Sequence, residues 1–210
     1  MLRWLISGCT GTVSDGVGFH VLDREQVLKL PLTEVFGFFS DAANLRRITP
    51  PELDFKFEAP PPHPMHAGAE IRYRIRVAGV PVRWTTLIKE WDPPHRFSDL
   101  QARGPYAYWL HTHTFSEIAP GRTLMRDRVI YRVPFGAPGE LVRRLFVEPQ
   151  LRRVFDYRER AVGPALGDAS PPGLPRADTG PRRPLVIAAA GVAAMLGAAG
   201  VLWRRTRARG

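Results

Sequence analysis

The sequence predicts an α+β domain: a curved, seven-stranded antiparallel sheet around one C-terminal helix, with two short helices after the first strand. A transmembrane helix is predicted beyond the domain. Three observations lead to this. Hydrophobicity alternates with a period of two through six successive segments between residues 53 and 134. Apolar residues return to helical spacing in residues 139–162. Strands joined in series by short turns pair antiparallel, and their shared apolar face must be covered by the one long helix that remains.

Taken in order, "HVLDREQVLKL" (20–30) is a first strand, stopped by Pro31. Thr33 is placed to cap a short helix carrying Val35, Phe36 and Phe39, and Asp41 caps a second one that ends before Pro50 and Pro51. Strands follow at 53–58, 70–77, 80–92, 95–103, 108–118 and 122–134, separated by turns containing Pro or Gly. In "GELVRRLFVEPQLRRVFDYRERAV" (139–162), Leu141, Leu145, Leu151, Val154, Phe155 and Arg158 keep helical spacing. Pro149 divides this run and can open its second part, where a missing N–H costs little.

The faces of the strands follow from alternation. Ile71, Tyr73, Ile75 and Val77 oppose Arg72, Arg74 and Arg76; Val82, Trp84, Thr86 and Ile88 form the inward set of the next strand. Met125, Asp127, Val129, Tyr131 and Val133 face inward on the last strand, which puts a carboxylate on an apolar face. "APG" (119–121) suits a three-residue hairpin loop with Gly121 in the left-handed conformation. Pairing 118 with 122 then sets Trp109 against Tyr131, His111 against Val129, His113 against Asp127 and Phe115 against Met125. In this register His113 supplies the partner that a buried Asp127 needs, while His111 is left to a ligand or water.

The flanks read differently. Residues 1–19 are a leader; Cys9, the one cysteine, excludes an intrachain disulfide, and the eight residues before it are too few for a secretory signal. Residues 163–183 are a Pro- and Gly-rich linker. Residues 184–203 carry no charge, and twenty residues rising about 1.5 Å each span about 30 Å, the thickness of a bilayer's hydrocarbon core. A basic tail, 204–210, follows. This predicts a single-pass C-terminal membrane anchor with the folded domain in the cytoplasm. The net charge of +10 does not indicate nucleic-acid binding. Seven Arg against two Asp from residue 164 onward supply half the excess, and Arg in the body alternates along strands as on a solvated sheet face.

The chain resembles the SRPBCC superfamily, the START-like helix-grip proteins, and in particular its polyketide cyclase/dehydrase and coenzyme Q-binding-type branch. The resemblance is carried by "FFSDAANLRRITPPEL" (38–53), "GPYAYWLHTHTF" (104–115), "TLMRDRVIYRVPFG" (123–136) and "LRRVFDYR" (151–158), and covers about residues 20–160. It implies a cavity for an apolar ligand between sheet and helix. It does not imply an activity, because fold and function separate widely in such superfamilies.

The leading functional expectation is a membrane-tethered binding module for a lipid, quinone or polyketide-like molecule. Tyr73, Trp84, Trp109, Tyr131 and Phe135 would form the walls, with His111, His113 and Asp127 as orienting polar groups. The alternative is a cyclase or dehydratase in which His113, oriented by Asp127, is the general base and His111 or a tyrosine the proton donor. A third reading takes His111, His113 and Asp127 as a two-His-one-carboxylate metal site. Because Asp127 and His113 engage each other, and the fold as a family is not generally metal-dependent, no metal and no cofactor are expected. His20, His63, His66 and His95, near turns or strand ends, are expected in solvent.

Overall fold

The computed structural model of the chain describes residues 18–77 and 79–167. They form seven strands, β1 (His20–Leu28), β2 (Lys56–Phe57), β3 (Glu70–Val77), β4 (Val80–Asp92), β5 (Arg96–Arg103), β6 (Tyr108–Ala119) and β7 (Arg122–Arg132). The helices are α1 (Leu32–Ser40), α2 (Gly136–Val142) and α3 (Glu148–Ala165). All strand pairs are antiparallel, in the order β1-β7-β6-β5-β4-β3-β2. The expected α+β architecture is therefore present, with α3 lying against the concave face of the sheet through Leu151, Phe155 and Val162. No helix among the described residues is long and apolar enough to cross a membrane. The leader up to residue 17, most of the linker, the apolar segment 184–203 and the basic tail lie outside the described residues.

Local departures have local causes. α1 begins at Leu32 with no side-chain cap, so Thr33 does not serve as one. Asp41 does cap, its carboxylate accepting from the Ala43 N–H at 2.9 Å, but the turn it opens is a 3₁₀ segment, Ala42–Arg47. The expected strand at 53–58 shrinks to Lys56–Phe57, because Pro50 and Pro51 start a further 3₁₀ turn through Leu53. In the β6–β7 hairpin the four inward pairs occur as predicted from the sequence, and Gly121 is left-handed (φ +66°). The closure differs, since Ala119 pairs with Arg122 and Ile118 is the extra residue of a bulge, half exposed.

Residues 143–147 form a wide π turn between α2 and α3. Widening a helical turn by a residue rotates everything on its N-terminal side off the buried stripe. Leu141 and Leu145, at helical spacing with Leu151, are accordingly 60% and 58% exposed. The π turn is fixed by Arg143, which is buried, donates to Glu140 (2.8 Å) and pairs with Glu148; Glu140 in turn contacts His20 of β1 at 2.9 Å. His20 is thus a buried, partnered residue rather than a solvated one, whereas His63, His66 and His95 are exposed.

Three apolar clusters pack under the sheet among the described residues, a small one around Ala42, Ala69, Ile71 and Ile88 and two larger ones. One joins α1 to the hairpin end through Phe36, Phe39, Phe97, Phe115 and Met125. The other joins α3 to the opposite part through Trp84, Trp109, Tyr131, Leu151 and Phe155. Between them lies the functional candidate.

Candidate ligand cavity and its buried polar cluster

A cavity of about 260 Å³ opens between the concave sheet face and α3, slightly below the roughly 300–1,000 Å³ typical of small-molecule sites. Its walls follow from the inward sets of β3 and β4: Ile71, Tyr73 and Ile75 from one, Trp84, Thr86 and Ile88 from the other. Tyr73 stacks on Trp84 (6.2 Å between centroids, 11°), and Trp84 meets Trp109 edge-on at 5.4 Å, giving a stiff aromatic wall. Tyr106, from the β5–β6 loop, completes it against Trp109 at 4.9 Å. Burial raises the hydroxyls of Tyr73 and Tyr106 above their ordinary range, so both stay protonated.

Of the residues expected to line the site, Tyr73, Trp84, Trp109, His111 and His113 do so. Tyr131 is buried behind the wall, against Tyr106 and Trp109. Phe135 precedes α2 with a left-handed backbone (φ +73°), is 36% exposed, and is not a wall residue. Asp127 lies behind the two histidines, outside the main cavity.

The polar residues form one buried cluster. The His113 Nδ1–H donates to Asp127 Oδ1 at 2.6 Å, the cross-strand pair that the register predicts. His111 is not left without a partner: its Nε2 lies 3.2 Å from the same Asp127 oxygen. Asp99, opposite His111 in the β5–β6 register, approaches His113 Nε2 at 3.4 Å and His111 Nδ1 at 3.5 Å through one oxygen. Arg158, from α3, places its Nε 3.4 Å from Asp127 Oδ2 and its guanidinium over the Phe39 ring at 5.2 Å. Its Nη2 is 3.5 Å from His113 Nδ1, but that nitrogen donates to Asp127 and cannot also accept, so this contact is proximity rather than a bond. The imidazoles are held by rings, His113 stacked on Phe97 at 4.3 Å and His111 against Phe155 at 5.5 Å.

The charges can be assigned from these distances. Burial disfavours every charged form here, and neighbours decide which survive. Against that burial, Arg158, His113 and His111 together hold the Asp127 carboxyl well below the usual carboxylate range. The two imidazoles likewise hold Asp99 down against its own desolvation. For His111, burial and the adjacent His113 lower the pKa; for His113, the Asp127 carboxylate overcomes burial and raises it. In the state where His113 carries the extra proton and His111 does not, the direction in which their surroundings push them, the five groups cancel in charge, the condition under which a buried ionic network is tolerable. Asp99, His111 and His113 also bring ligand-type atoms within 4.8 Å of one another.

No family model and no curated protein matches the chain. Solved structures do. The Thermus thermophilus protein TTHA0849 superposes with a TM-score of 0.58 at 18% identity, covering 71% of this chain and 99% of that one. The Zhui aromatase/cyclase of a Streptomyces species gives 0.58 at 15%, covering 71% and 94%. A START superfamily protein of Mycobacterium smegmatis gives 0.53 at 14%, covering 69% and 98%. The chain has the START-like helix-grip fold. At these identities the likeness establishes the fold, a concave sheet covered by a helix, and leaves the activity to the residues described above.

Proposed function

We propose that this helix-grip domain binds an apolar small molecule, a lipid, quinone or polyketide-like compound, in the cavity between sheet and α3. The observation that carries this is the composition of the walls. Aromatic and aliphatic residues, chiefly of β3 and β4, form most of the surface, with Asp41, Asn44, Thr86 and Gln150 among them, and a buried ionic cluster enters it at Asp99, His111, His113 and Arg158. Such a site takes up an apolar body and orients one polar end. In the same reading, the uncharged segment 184–203 holds the domain at a membrane, on its cytoplasmic side, where lipid-soluble molecules are concentrated.

The test is a cavity-filling substitution. Ile75→Trp adds bulk to the wall at a partly buried position and should cost about 1–3 kcal/mol of stability. Binding of an apolar fluorescent dye such as Nile red to the full chain should fall at least tenfold while the circular dichroism spectrum is retained. Unchanged dye affinity would place the dye elsewhere and remove the support for this cavity.

A second reading, proton chemistry on a bound polyketone, is favoured by the asymmetry of the two histidines. Both imidazoles face Asp99 and Asp127, but the 2.6 Å contact of His113 with Asp127 raises its pKa, whereas burial and the neighbouring His113 lower that of His111, so His113 is the better proton donor and the abstracting role expected of it falls to His111. His111→Gln should then abolish turnover while dye binding persists.

A further inference from the structure

The spacing inside the cluster leaves one contact unexplained by hydrogen bonding. An imidazole with a single N–H can donate from one nitrogen only, yet both nitrogens of His111 face a carboxylate oxygen: Nε2 faces Asp127 Oδ1 at 3.2 Å and Nδ1 faces Asp99 Oδ2 at 3.5 Å. If the proton sits at the shorter contact, the Nδ1 lone pair and a carboxylate oxygen confront each other with nothing between them. The second Asp99 contact, to His113 Nε2, is also long at 3.4 Å, beyond the roughly 2.7–3.2 Å of N–H···O bonds. Protonating both imidazoles would close the gaps. It would also put two cations on rings whose centroids are 3.9 Å apart in a buried site.

Those same gaps match a different geometry. Bonds of about 2.0–2.2 Å from a four-coordinate ion to nitrogen and oxygen ligands give tetrahedral edges of about 3.3–3.6 Å. The two edges at Asp99 Oδ2 are 3.4 and 3.5 Å, and the three atoms lie within 4.8 Å of one another. Behind them, Asp127 Oδ1 takes the other nitrogen of both imidazoles, at 2.6 and 3.2 Å, as a carboxylate does when it fixes the tautomer of metal-binding histidines. Arg158 pairs with the other oxygen of Asp127. All three candidate ligands line the cavity.

We propose that Asp99 Oδ2, His111 Nδ1 and His113 Nε2 form a site for one divalent transition-metal ion of the zinc, cobalt or ferrous type, with Asp127 orienting both imidazoles. Asp99, Asp127 and Arg158 leave one net negative charge, which favours a cation at this point. The ion would offer the ligand's polar end a Lewis-acidic contact. The sequence-based triad placed Asp127 among the ligands; the structure puts Asp99 there and Asp127 behind.

The experiment is a titration of the untagged, chelator-stripped full chain with cobalt(II), followed by visible d–d absorption, with zinc displacing it. One saturable equivalent per chain is expected, with bands of low-symmetry four- or five-coordination. Asp99→Asn and His111→Gln should each abolish it. Asp127→Asn should weaken it by about 10–100-fold while the bands persist. The wild-type titration decides even if a variant fails to fold: without saturable binding the proposal is wrong. Saturation that survives in folded Asp99→Asn and His111→Gln would assign the ion to other residues and overturn it as well. The site does not rest on the apolar-ligand reading, because the titration uses no ligand and the dye assay uses no metal.

Discussion

Replacing Asp127 by Asn keeps its size and removes its charge from the centre of the buried cluster. The carboxylate, 7% exposed, accepts from His113 at 2.6 Å, contacts His111 at 3.2 Å and pairs with Arg158 at 3.4 Å. A hydrogen bond to a charged group contributes about 1.5–3 kcal/mol. The larger effect is on Arg158, 13% exposed, which loses its nearest counter-charge. Breaking a buried pair by removing one partner costs about 3–5 kcal/mol, because the survivor stays desolvated and uncompensated. For a domain of this size that corresponds to a fall in Tm of about 6–20 °C. The assay is urea unfolding of Asp127→Asn, Arg158→Met and the double variant. The double variant should be more stable than the summed single losses by about 1–3 kcal/mol, since the two groups share one interaction. A loss below about 1 kcal/mol for Asp127→Asn, or additivity within about 0.5 kcal/mol, would refute the view that this cluster is one electrostatic unit.

Other substitutions have outcomes set by local contacts. A Cβ on Gly139 would lie 1.9 Å from the Pro134 carbonyl oxygen, so Gly139→Ala should displace α2 and lower Tm. Gly37, inside α1 with open space around it, should gain about 0.5–1 kcal/mol as Ala by urea titration. Arg143, chiefly by hydrogen bonding, lowers the Glu140 pKa to about 2. A lowered folded pKa adds stability that is complete above the unfolded carboxyl's pKa, near 4.5, and is lost as pH falls toward 2. Glu140→Gln should therefore flatten stability against pH across that interval, and an unchanged profile would show that Glu140 contributes nothing there. Phe155→Ala, which empties a buried position beside His111, should cost about 3–5 kcal/mol and loosen the cluster, read as faster amide exchange in β6.

Much of this fold is legible in the sequence because the hairpin between β6 and β7 is short. With the turn confined to the few residues between Glu117 and Thr123, alternation alone aligns Trp109, His111, His113 and Phe115 with their partners, and a one-residue slip would turn all four outward. Asp99 is not legible in the same way. Pairing between β5 and β6 stops at Leu100 and Leu110, well short of a tight turn, and β5 pairs irregularly with β4, so no turn geometry sets the register that brings Asp99 opposite His111. In "RFSDLQAR", moreover, Phe97 and the adjacent Ser98 are both buried, which blurs the period. The signal for Arg158 is a charge in helical phase with the buried Leu151 and Phe155 of α3, on a helix that must cover a strand with an inward Asp127. Leu141 and Leu145 mislead because a π turn has no sequence signature at this level and shifts the phase of everything before it. Phe135 misleads because alternation does not survive the left-handed residue that ends β7's extension.

Whether the space under α3 is a binding site for an apolar molecule is tested most directly by native mass spectrometry of the full chain, expressed in cells and released in mild detergent. A retained apolar compound is expected, one that dissociates on collisional activation and is missing from the Ile75→Trp variant. A chain that travels only at its own mass, and binds neither extracted membrane lipids and quinones nor Nile red, would contradict it.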